Sequence, residues 1–106
     1  MANSNMDSGN QILTIEGVTL GATSAAIRKD DQPDLVVLLL QENATVAGVF
    51  TQNRFSAAPV QVCQQQLARG GPIAAMVINT GVANAGTGKN GIDDAKKICH
   101  ELARLL

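Results

Sequence analysis

An apolar run, Ile73-Ala74-Ala75-Met76-Val77-Ile78, gives way to Asn79-Thr80-Gly81-Val82-Ala83-Asn84-Ala85-Gly86-Thr87-Gly88, and a helix-period pattern follows from about Gly91. That order predicts a strand, a glycine- and asparagine-rich connection, and then a helix. Such a connection turns backbone N–H groups, helped by the positive end of the helix dipole, toward negative charge. A bound phosphate and an oxyanion formed during a reaction both meet that description. So do glycines and asparagines that only supply positive φ at a tight turn.

The remainder of the chain narrows what such a turn can serve. With 106 residues it forms one domain at most, with a modest core. Hydrophobic residues make up 45% of the chain, yet Phe50 and Phe55 are its only aromatics. The core must therefore be Val, Leu, Ile and Ala, the composition of a packed α/β layer. A net charge of −1, no basic cluster and no Trp or Tyr argue against nucleic-acid binding.

Cys63 and Cys99 lie in no metal-type spacing and read as reduced, half-buried thiols of a cytosolic protein. His100, the sole histidine, has no arrangement of Cys, Asp or Glu around it that suggests zinc or a triad. It reads as a surface or boundary residue of a helix. Met1 to Asn10 is polar without a basic start and an apolar stretch, so a flexible tail over residues 1–14 is expected rather than a secretory signal. The longest apolar run, Leu35 to Leu40, is far too short to span a bilayer.

Strands dominate the first half. Val18 to Ile27, rich in Gly and Ala, reads as a strand with close backbone neighbours. Lys29 to Asp34 reads as a polar turn, and Leu35 to Leu40 as a central strand covered on both faces. Asn43-Ala44 turns the chain, and Thr45 to Thr51 reads as the hairpin partner of that strand. Ala57 to Val62 is expected to be extended, because Pro59 disfavours helix at Ala58. A short helix over Gln64 to Ala68 then stops at Gly70-Gly71-Pro72, and Ile73 to Ile78 is another buried strand. Ile92, Ala95, Ile98, Cys99, Leu102 and Leu106 recur at steps of three and four, one face of a helix. Asn90 is its expected N-cap, with Asp93 in a capping-box-like position and Arg104 suited to the other end. Asp93 and Asp94 are explained by the electrostatics of a helix start.

Two chemistries fit the turn. Ala83 to Asn90 nearly matches a phosphate loop, and a small nucleotide-binding module is the alternative function. The match fails at both ends. Ala83 replaces the first glycine, and Asn90 replaces the hydroxyl that should hold magnesium. An oxyanion hole instead needs two convergent donors, and Thr87 with Gly88 offers a hydroxyl and an unobstructed backbone N–H. One such donor contributes about 3 kcal/mol of transition-state stabilisation.

Asn79-Thr80-Gly81, Ala83-Asn84-Ala85 and Thr87-Gly88 together resemble the signature of the ornithine acetyltransferase family of arginine biosynthesis. Other blocks resemble it in the same order: Gly17 to Lys29, Asp34-Leu35, Ala47 to Arg54, Ala57 to Val60, and Gly91 to Ala95. The resemblance runs from about Gly17 to Leu106 and corresponds to the N-terminal part of the family's α chain. Ala26 stands where the family usually has glycine. The fold it implies is α/β, a strand-rich arrangement of sheet and helices from the N-terminal-nucleophile-like ornithine acetyltransferase fold, with residues 15–106 as part of the α-chain domain.

The resemblance also implies a chemistry. Family members cleave themselves between an alanine and a threonine into α and β chains, and the new N-terminal threonine is the nucleophile. It takes acetyl from N-acetylornithine and passes it to glutamate; some members also accept acetyl-CoA. The residues matching Thr87 and Gly88 form the oxyanion hole. No cofactor or metal is implied. The partners implied are the remaining α segment and the β chain, joined as a cytoplasmic heterotetramer of two α and two β chains. The cleavage junction and its threonine fall after the matched part, so the 106-residue chain alone is expected to be catalytically inactive; a non-catalytic assembly fragment that associates with its missing segments is a second alternative.

Overall fold

The computed structural model describes residues 14–28, 32–81 and 86–106. Five elements follow in order: β1 (Val18–Thr23), β2 (Leu35–Leu40), α1 (Ala58–Arg69), β3 (Ala75–Asn79) and α2 (Gly88–Leu105). They fall into two compact units. One runs to Ala44 and resumes over Pro72–Gly81; the other comprises Thr45–Gly71 and Val82–Leu106. The polar tail read over residues 1–14 lies, except for Thr14, outside the described residues, as do Lys29, Asp30 and Asp31.

The first unit is a three-stranded antiparallel sheet in the order β1-β2-β3. β2 takes the centre because its run of Leu and Val is apolar on alternating sides. Residues directly opposed in an antiparallel pair share a face. The register therefore gathers Val18, Leu20 and Ala22 with Leu40, Leu38 and Val36, and these with Met76 and Ile78. That face is apolar throughout. The double cover expected for β2 is not found: the β2 residues are half-buried apart from exposed Leu39, and Leu20, Met76 and Ile78 are exposed as well.

Thr45 to Thr51 is not a strand. Both hydrogen-bonding edges of β2 are already taken by β1 and β3, so no hairpin partner can add to it. The chain beyond is held by local bonds instead: Asn53 N–H donates to Thr51 Oγ1 at 3.1 Å, and Phe55 N–H to Asn53 Oδ1 at 3.0 Å.

β1 stops at Thr23, four residues before the end read from sequence, and Asp34 is the reason. Its carboxylate accepts from the N–H groups of Ala25 at 2.6 Å, Ile27 at 2.7 Å and Arg28 at 2.9 Å. The chain must curl round that charge, and Ala26 takes the left-handed conformation, φ 60°. Asp34 is thus a buried anchor rather than part of a simple polar turn. The N–H of Ala25, then that of Arg28, hold its carboxyl below the usual carboxylate value despite the opposing cost of burial.

A left-handed residue with a Cβ costs about 1–2 kcal/mol, while glycine loses about 0.4–1 kcal/mol through its freer unfolded chain. Replacing Ala26 by Gly is therefore expected to raise stability by about 0.5–1 kcal/mol, read from urea unfolding midpoints at constant slope. A lower midpoint would mean that the loop does not strain Ala26.

In the second unit α1 packs against α2. α1 begins at Ala58, so Ala57 to Val62 is helical from its second residue rather than extended. Pro59 falls in the first turn, where its missing N–H is not needed, and the extended residue is Ala57 at ψ 155°. Ala58 and Val62 are the buried apolar side chains, and Gly70 at φ 74° ends the helix as expected. Along α2, Ile92, Ala95, Cys99 and Leu102 are half-buried, whereas Ile98 is 43% exposed at the edge of the stripe, and Leu106, expected on the same face, caps the helix end and is exposed. Arg104 pairs with Glu101 at 2.8 Å; both are exposed, so the pair adds little.

Candidate active site at the start of the second helix

The signature stretch is divided between the units. Asn79 ends β3, and Thr80 and Gly81 close the first unit. Gly86, Thr87 and Gly88 belong to the second unit, and Val82 to Ala85 lie outside the described residues. The sequence order of strand, turn and helix is borne out.

The helix starts earlier than its apolar stripe suggests. Thr87 is its N-cap, at φ −90° and ψ −4°, and Gly88 its first residue at φ 62°. Asn90, expected as the cap, sits inside the first turn. Asp93 and Asp94 follow beyond that turn, which contains no acidic residue. The expected capping box is therefore absent. The positive φ at Gly88 is a conformation that side chains avoid, which explains why the signature places a glycine there. Gly86 is also left-handed, φ 71°, and a Cβ there would reach the Phe55 ring at 3.4 Å.

Gly91 has a different job. A Cβ at this position would overlap Oγ1 and Cβ of Thr87. Within a helix glycine costs about 1 kcal/mol against alanine. Here its bare Cα accommodates the Thr87 side chain, which makes no capping bond to its own helix. Thr87 and Gly88 are both exposed, at the end of an 18-residue helix whose first-turn N–H groups have no partner within the helix itself. A hydroxyl and a backbone N–H on adjacent residues, beside a positive dipole end, suit the stabilisation of transient negative charge.

Other candidates fall away. Lys89 and His100 are exposed on α2. Among the described residues no group of His, Cys, Asp and Glu is arranged to hold a metal ion, and no helix is long and apolar enough to cross a membrane. Both cysteines are free thiols, but Cys63 is exposed rather than half-buried. Burial, and then the proximity of Cys63, push the Cys99 thiol up, away from a nucleophilic thiolate.

Two residues that matter here, Gly91 and Asp34, enter the sequence reading only as members of resembling blocks, with no role of their own. The i, i+4 spacing of Thr87 and Gly91 carried a signal, since such residues share a helix face. The role of Asp34 is not written in its neighbours' side chains, because its three donors are backbone groups.

The ArgJ family model matches residues 19–106. Among solved structures, ornithine acetyltransferase from Mycobacterium tuberculosis, complexed with ornithine, is 36% identical with a TM-score of 0.70. The match covers 76% of this chain and 42% of that one. The arginine biosynthesis bifunctional protein ArgJ from Bacillus halodurans is 35% identical with a TM-score of 0.72, over 78% of this chain and 43% of its own. The chain thus spans less than half the length of these relatives, and its sheet and helices are the corresponding part of their α/β fold. With nearly every residue from β1 onward matched in order, the chain belongs to the ArgJ family.

Proposed function

We propose that this chain supplies the oxyanion-stabilising part of a glutamate N-acetyltransferase of arginine biosynthesis. The observation that carries the reading is the Thr87-Gly88 pair at the head of α2, inside a family match that is continuous from residue 19 to 106. The nucleophile is a threonine outside these 106 residues, made N-terminal by self-cleavage, with its own amine as base. Its oxygen attacks the acetyl carbonyl of N-acetylornithine, and the carbonyl oxygen takes up the negative charge. The Thr87 hydroxyl and the Gly88 N–H hold that charge. Ornithine then leaves with the proton on its amine. Glutamate's amine attacks the acetyl-threonine through a second oxyanion in the same place and leaves as N-acetylglutamate. Only interactions stronger in the transition state speed such a step, and the pair meets charge only when it forms. Acetyl-CoA is an alternative donor, and the working assembly is a cytoplasmic heterotetramer of two α and two β chains.

The test is glutamate-dependent release of ornithine from N-acetylornithine. The purified 106-residue chain should give none, and the same chain joined to the rest of the enzyme should turn over. Turnover by the chain alone would place the nucleophile within it. No turnover by the complete enzyme would overturn the acetyl-transfer reading.

A further inference from the structure

Asp34 stands at a junction. It is 1% exposed, and its carboxylate takes three backbone N–H groups, with Oδ1 serving Ala25 and Oδ2 serving Ile27 and Arg28. Its own backbone is engaged on both sides as well. Its N–H donates to the Thr23 carbonyl at 3.1 Å, and its carbonyl accepts from Thr80 N–H at 3.0 Å. One residue therefore joins the end of β1, the curled loop and the exit of β3.

Gly81 presses on the same loop. At φ 95° it has no room for a side chain: a Cβ would collide with Arg28 Cγ and lie 3.4 Å from both Arg28 N and Ile27 Cγ2. The two residues that such a Cβ would meet are the two whose N–H groups are held by Oδ2 of Asp34. The bed on which Gly81 rests is thus shaped by a carboxylate with which Gly81 has no bond of its own.

We infer that Asp34 is a positioning residue: by holding Ala25 to Arg28 it fixes the path of Thr80-Gly81, where the signature stretch leaves the sheet. Its consequence for catalysis rests on the acetyl-transfer reading, but the placement does not. A carboxylate suits the task because three converging donors need two acceptor oxygens and a charge. Asn keeps the size and offers one oxygen, and its amide would face an N–H group, leaving at least one donor unmet.

Amide hydrogen exchange in the whole chain tests the placement. In Asp34→Asn, exchange at Ala25, Ile27 and Arg28 should rise at least tenfold, and exchange at Thr80 should rise with it. The carbonyl that accepts from Thr80 survives the substitution, so a change there reports a shift in the path of Thr80 rather than loss of its acceptor. Faster exchange at the three loop amides with Thr80 unchanged would overturn the inference, as would no change at any of the four. Gly81→Ala approaches the contact from the other side and keeps Asp34. It should speed exchange at Ile27 and Arg28, and unaltered protection there would equally overturn it. In the complete enzyme, Asp34→Asn should lower kcat about tenfold with KM for N-acetylornithine within twofold. Loss through KM alone would speak against positioning of the signature. A wild-type enzyme without transfer would instead defeat the acetyl-transfer reading, and the exchange result would still decide the placement.

Discussion

Replacing Thr87 by Ala in the complete enzyme should lower kcat for acetyl transfer by about 100- to 1000-fold, the loss typical of one oxyanion-hole donor. KM for N-acetylornithine should stay nearly constant, because the hydroxyl meets full charge only as the tetrahedral intermediate forms. The Gly88 N–H remains, so the residual rate should still exceed that without enzyme. Serine at the same position retains the hydroxyl and should recover much of the rate. The measurement is steady-state ornithine release at saturating glutamate. A Thr87→Ala enzyme with wild-type kcat would remove Thr87 from the oxyanion role.

Gly91→Ala should produce a loss of the same order by a separate route. On propensity alone the substitution ought to strengthen α2 by about 1 kcal/mol. The new methyl group, however, would overlap both Oγ1 and Cβ of Thr87, so the cap residue must shift and carry its hydroxyl out of place. Activity is then lost without loss of the helix, and circular dichroism during heating should show α2 intact. The two substitutions act on one group, so the double variant should be no slower than Thr87→Ala by itself. Additive losses would mean that Gly91 serves catalysis by some means other than making room for Thr87.

The elements that sequence reading located well are those whose pattern depends only on themselves. β2 is apolar on successive residues, and its observed bounds, Leu35–Leu40, are those of the run. The half-buried face of α2 follows from its period. Misreadings arose where a neighbour decides. Thr45 to Thr51 lies next to β2 in sequence and looks like its partner, yet the edge it would use belongs to β3, which comes after α1. Pro59 disfavours helix at the residue before it, yet its place in the first turn of α1 makes it a helix starter. The start of α2 was read from the apolar stripe, while the cap lies before it, at Thr87.

The candidate site was legible by residue type, because a hydroxyl and a glycine in tandem carry their chemistry with them. Its supports were not. The room made by Gly91 appears only when the first turn is wound. The hold of Asp34 on the loop depends on backbone groups that every residue possesses, so no choice of side chain in that loop announces it.

The interleaving of the two units has a consequence for how such a chain can be cut or recombined. The polypeptide passes between them after Ala44, after Gly71 and after Gly81. Neither unit is a continuous stretch of sequence, so neither can be lifted out by choosing two ends. During synthesis, β1 and β2 must wait for all of α1 to be made before β3 can complete their sheet. Any exchange of segments between relatives that breaks between residues 45 and 71 divides both units at once. Inheritance should therefore treat this sheet and this helix pair as a single piece.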